Sequence, residues 1–91
     1  LALINGTDGM LGMLYLALAD LDGLVATADL AAAMSVEGQL GTDAVFASEL
    51  QELRPHPGQA TSAANLRAVL AGSAIVASHK TDDCTRVQDA Y

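Results

Sequence analysis

The sequence predicts an all-α fold, and three observations predict it. Ala and Leu dominate, whereas aromatic residues make up only 3% of the chain. Apolar residues recur at steps of three and four, the period of a helix face. Gly38 and the Pro55–Pro57 pair punctuate these stripes where helices end. Ninety-one residues hold at most one domain.

The first helix is expected over 8–37. Leu11, Leu14, Leu18, Leu21 and Val25 form its stripe, which Ala28 and Ala32 extend. Met13, Leu16, Ala17 and Leu24 cover a second face, so its first half is apolar almost all round. Asp8 suits the positive N-terminal end, and Gly38 is the expected glycine just past the other end. A shorter helix is expected over 43–53, with Val45, Phe46, Leu50 and Leu53 apolar. Arg54-Pro55-His56-Pro57-Gly58 ends it, because each proline disfavours helical geometry in the residue before it. A third helix is expected over 57–78, with Pro57 in its first turn and Ala63, Leu66, Leu70, Ala74 and Ala77 as its stripe. Residues 79–91 read as loop. Leu1 to Ile4 read as buried, strand-like chain leading into Asn5-Gly6-Thr7-Asp8-Gly9.

A helix over 8–37 is about 45 Å long, whereas a compact domain of this size is only about 30 Å across. Two shorter helices cannot cover its apolar faces. The expectation is therefore a segment of a larger helical protein, with other helices as the missing partners.

Composition bounds the partners. Four Lys and Arg against eleven Asp and Glu give a net charge of −7, which argues against nucleic acid. The longest uncharged apolar run, between Asp8 and Asp20, is too short to cross a bilayer. Cys84 stands alone, so no internal disulfide is expected, and the reading favours a reducing cytoplasm.

Few residues suggest chemistry. His56, His79 and Cys84 lack the spacing of a zinc site, so no metal is expected. Ser78-His79 is no nucleophile and base, since neighbours at a helix end point apart. Asp82-Asp83 reads as a solvated loop. Asn5 remains, an amide at the mouth of an apolar helix, where free N–H groups and the dipole favour an anion such as a carboxylate. Gly6 would let a ligand approach the backbone or supply a positive φ. On residue chemistry alone an ordinary Asn-Gly turn is the stronger reading. Gln88 and Tyr91, three apart, could aim an amide and a phenol the same way, into a pocket or simply into a tied-down loop.

Leu1-Ala2-Leu3-Ile4-Asn5-Gly6-Thr7, His56-Pro57-Gly58-Gln59, and Ser78-His79-Lys80 through Val87-Gln88-Asp89-Ala90-Tyr91 occur in this order and spacing. Together they resemble the aromatic amino acid ammonia-lyases, and most of all the bacterial branch acting on histidine. The likeness spans the chain but only a middle slice of the longer family sequence, its central helical domain. It implies removal of ammonia from L-histidine to give trans-urocanate, by a methylidene-imidazolone electrophile formed autocatalytically from an internal Ala-Ser-Gly. It also implies a homotetramer whose active site gathers residues from three chains.

By this resemblance Asn5 lies beside the electrophile, Gln88 lines the pocket, and Tyr91 is a catalytic tyrosine reaching in from a neighbouring subunit. No Ala-Ser-Gly occurs here: Ala47-Ser48 precedes Glu49, and Ala77-Ser78 precedes His79. Ala90 stands where many members carry proline. The residues that select the amino acid lie outside the chain, so phenylalanine or tyrosine ammonia-lyases and aminomutases of the family are the alternative. A non-catalytic helical oligomerisation module is the alternative of another class. The segment alone is expected to be inactive.

Overall fold

The computed structural model describes residues 1–84, and all the regular structure in them is helical. Helix α1 is Ala2–Asn5, α2 is Asp8–Gly38, α3 is Ser48–Glu52, α4 is Pro57–Leu70 and α5 is Ala74–His79, with a 3₁₀ turn at Ala44–Phe46 before α3. The all-α expectation holds.

Helix α2 sets the shape. Its 31 residues make about 46 Å of rod. The protein measures 70 × 28 × 23 Å, with a radius of gyration of 19.2 Å. The shorter helices pack against only the C-terminal third of α2. There Ala33 and Val36 are buried against Leu66 and Leu70 of α4 and Val76 of α5, with Phe46 at the edge. Ala63 is buried as well. Polar clasps flank this small core. Ser62 donates to the Asp29 carboxylate, Ser73 to the Glu37 carboxylate, and Lys80 bonds Asp43 at 2.8 Å.

The expected stripe of α2 is not what the core uses. Leu11, Leu14, Leu18, Leu21 and Val25 remain exposed, as do Met13, Leu16 and Leu24 on the second face. The core takes Ala33 and Val36 instead of Ala28 and Ala32, on the face that also carries Asp29, which Ser62 and Asn65 of α4 bond. A rod this long overhangs its partners, as its length required. By length and composition α2 is also apolar enough to cross a membrane, with a mean hydropathy of 1.5 in its most apolar window. The uninterrupted run ends at Asp20, but the helix continues through Asp20 and Asp22. A core helix of a large bundle has the same composition.

Each expected boundary that moved has a local cause. The expected buried, strand-like start does not form: Leu1 is 92% and Ile4 83% exposed, and Ala2–Asn5 closes a helical turn. Gly38 is the last residue of α2, and Leu40 takes the left-handed position beyond it, at φ 52°. The Gly41 N–H donates to the Val36 carbonyl at 2.7 Å and the Leu40 N–H to the Glu37 carbonyl at 3.0 Å, the paired bonds of a Schellman end. The segment 43–53 divides at Ala47, whose ψ of 140° is extended.

The third helix, expected over 57–78, stops at Leu70. Gly72 adopts φ +77°, and Ser73 starts α5 by accepting the Val76 N–H on its hydroxyl. The non-helical residues between Leu70 and Ala74 shift the phase of α5, so Val76 faces the core in place of Ala74 and Ala77. Pro57 does open α4, and His56 caps it, its Nδ1 accepting the Gln59 N–H at 3.4 Å. Past α5 the chain makes a turn in which the Cys84 N–H donates to the Thr81 carbonyl.

Candidate active site

The junction of α1 and α2 carries the residue that sequence chemistry singled out. Asn5 closes α1, its N–H donating to the Leu1 carbonyl at 3.0 Å, and the Gly6 N–H donates to the Ala2 carbonyl at 2.7 Å. Gly6 is extended, with φ −78° and ψ 157°. Thr7 is the N-cap residue of α2, yet its hydroxyl makes no capping bond. The first-turn N–H groups of α2 therefore gain no side-chain acceptor from Thr7, and the partial positive charge of the helix end is offset only by Asp8.

Asn5 is exposed, and among the described residues its carboxamide bonds to nothing. It caps neither helix. A turn asparagine normally uses its side chain on nearby backbone, and this one does not. What it offers is one acceptor and two donors beside an electropositive helix start. Those groups can hold a carboxylate or a carbonyl oxygen, and they cannot by themselves break a carbon–nitrogen bond.

Gln88 and Tyr91 lie outside the described residues, so of the three sequence-derived site residues only Asn5 has a described position. The other polar groups serve the fold. His56 is a helix cap, and it also lines a cleft of ≈ 420 Å³ with Gln51, Glu52 and Arg67. Arg67 donates to the Phe46 carbonyl, and Gln59 to Gln51 at 2.8 Å. His79 ends α5 with its Nε2 buried and unbonded among the described residues. Among those residues no three His, Cys, Asp or Glu side chains converge as metal ligands.

Sequence reasoning missed the cluster in which Asp29 accepts from both Ser62 and Asn65. These hydrogen bonds, that from Asn65 foremost, hold the Asp29 carboxyl below the usual carboxylate range against a smaller opposing effect of desolvation. The signal was a carboxylate on the inward face of α2, one turn before Ala33.

Asn5 stands at the start of a long apolar helix that the described residues leave mostly uncovered. The chain belongs to the aromatic amino acid lyase family, whose sequence profile matches residues 1–91. It is 65% identical over its whole length to the histidine ammonia-lyase of Streptomyces avermitilis and 64% identical to that of Streptomyces coelicolor, covering 18% of each. The histidine ammonia-lyase of Deinococcus radiodurans is 54% identical over the whole chain, which covers 17% of it. The chain thus spans less than a fifth of the length of these relatives. No solved structure matches it.

Proposed function

We propose that this segment is part of a carbon–nitrogen lyase that removes ammonia from L-histidine to give trans-urocanate. The observation that carries the proposal is the 65% identity, over all 91 residues, to a histidine ammonia-lyase. The reaction needs an electrophile that no side chain of this segment supplies. A methylidene-imidazolone, formed from an Ala-Ser-Gly elsewhere in the protein, would provide that activation.

Asn5 fits a place beside such a group, because its carboxamide is exposed and not consumed by the fold. Its N–H would donate to an oxygen of the group or of the substrate carboxylate, and its carbonyl would accept from the substrate's amine. In the same reading Gln88 adds a second amide to the pocket. Tyr91 brings a phenol, able to hold or pass a proton, from a neighbouring subunit. The assembly proposed is a cytoplasmic homotetramer. The exposed leucines and methionines of α2 support packing against further helices, while the tetramer and its place in the cytoplasm rest on the family resemblance.

The test is the intact protein containing this segment, purified and given L-histidine. Growth of urocanate absorbance with release of ammonia is expected. Growth of a cinnamate or coumarate chromophore from phenylalanine or tyrosine, with histidine inert, would move the assignment within the family. Inertness toward all three would leave a helical assembly module.

A further inference from the structure

We infer that Gly6 is a positioning residue for Asn5, acting through the carbonyl of Ala2; this rests on the assignment of Asn5 to the active site made above. The usual reason for a glycine is absent, because φ −78° and ψ 157° are open to any residue. The reason is space. A Cβ built on Gly6 would lie 2.6 Å from the Ala2 oxygen and 3.7 Å from its carbon. That oxygen is backbone, and it is the same atom that accepts the Gly6 N–H at 2.7 Å.

No other glycine of this stretch is held in this way. A Cβ on Gly9, Gly12 or Gly23 would meet nothing within 4 Å. Helix α1 is a single turn closed by three bonds: Ile4 and Asn5 donate to the Leu1 carbonyl and Gly6 to that of Ala2. A methyl group on Gly6 must push the Ala2 carbonyl aside and open this turn. Asn5 is the last residue of the turn, so its Cα and carboxamide move with it. The absence of a side chain at Gly6 thereby fixes where the Asn5 amide stands relative to the start of α2.

The experiment is a double-mutant cycle in the intact enzyme, reading kcat and KM separately with melting temperature as the check on folding. Gly6→Ala is expected to lower kcat by about a hundredfold, the scale of a misplacement near 1 Å, with a smaller change in KM. Asn5→Ala alone sets the reference. The double variant should be no slower than Asn5→Ala, because a residue acting only through Asn5 has nothing left to disturb. Should Gly6→Ala not fold, Ala2→Gly takes its place in the same cycle, since it loosens the carbonyl while leaving Gly6 intact. Losses that multiply in the double variant, or turnover unchanged by Gly6→Ala or its substitute, would overturn the inference. An Asn5→Ala enzyme with full turnover would instead remove Asn5 from the site, and the inference would fall with that assignment.

Discussion

The side-chain amide of Asn65 on α4 donates to the Asp29 carboxylate on α2 at 2.7 Å, joining residues 36 apart in the chain. With the Ser62 hydroxyl on the same carboxylate, it fixes the rotation of α4 about the long helix. The apolar core alone, with so few side chains, would leave that rotation loosely defined.

This contact makes stability depend on pH. Both hydrogen bonds favour the charged form, so the Asp29 pKa is lower in the folded than in the unfolded chain. A lowered carboxylate stabilises the fold fully above its unfolded value, about 3.9. That contribution is lost as pH falls through the folded value. Asp29→Ala should therefore lower the melting temperature at neutral pH and flatten the acid limb below about pH 4. Melting curves of both proteins from neutral to acid pH check this, and equal acid slopes would contradict it.

Leu40 holds a left-handed conformation at the end of α2, where a side chain is strained. Leu40→Gly should stabilise the protein by about 1 kcal/mol. Denaturant unfolding of the intact enzyme measures it. A destabilised variant would mean that the Leu40 side chain contributes more through contacts than its backbone costs.

Asn5→Ala separates a pocket residue from a turn residue. The carboxamide makes no bond among the described residues, so its loss should barely alter stability. Turnover of the intact enzyme should fall roughly a hundredfold or more, as when one preorganised contact to a reacting group is removed. Normal turnover with a lowered melting temperature is the result that would return Asn5 to a turn role.

The isolated segment should self-associate and show no lyase activity. Leu11, Leu14, Leu16 and Leu18 are exposed on more than one face of α2, and a patch of that kind drives association despite the negative charge. Analytical ultracentrifugation at tens of micromolar, about the range in which such surfaces associate, should show oligomers. A clean folded monomer would count against it.

The helical class and the start of both long helices were legible because they rest on local rules. Asp8 and Pro57 are good first-turn residues, and each begins its helix. What the sequence obscured was phase. From Leu66 through Ala77 the apolar spacing continues across Gly72-Ser73, whereas the extended Ala71 and Ser73 and the positive φ of Gly72 stop the helix and restart it. Gly38 looked like the end of α2 because glycine tolerates the left-handed position, yet the tertiary fold put Leu40 there. At the site, Asn5 could be found from its residue type and surroundings. Of the two reasons the sequence offers for Gly6, the positive φ is not used, its φ being −78°, and the crowding by the Ala2 carbonyl arises only once α1 has folded.

Among the described residues helix α2 is fastened at one end only, and that arrangement has a consequence for synthesis. The ribosome makes the unfastened, leucine-rich part first, whereas the residues that grip the other end, Ser62, Leu66 and Leu70, come later in the chain. At roughly 5–20 residues per second the nascent helix waits for seconds before even its own anchor exists. Throughout that interval the leucine-rich surface of the nascent helix lacks even the cover that α4 and α5 give its other end.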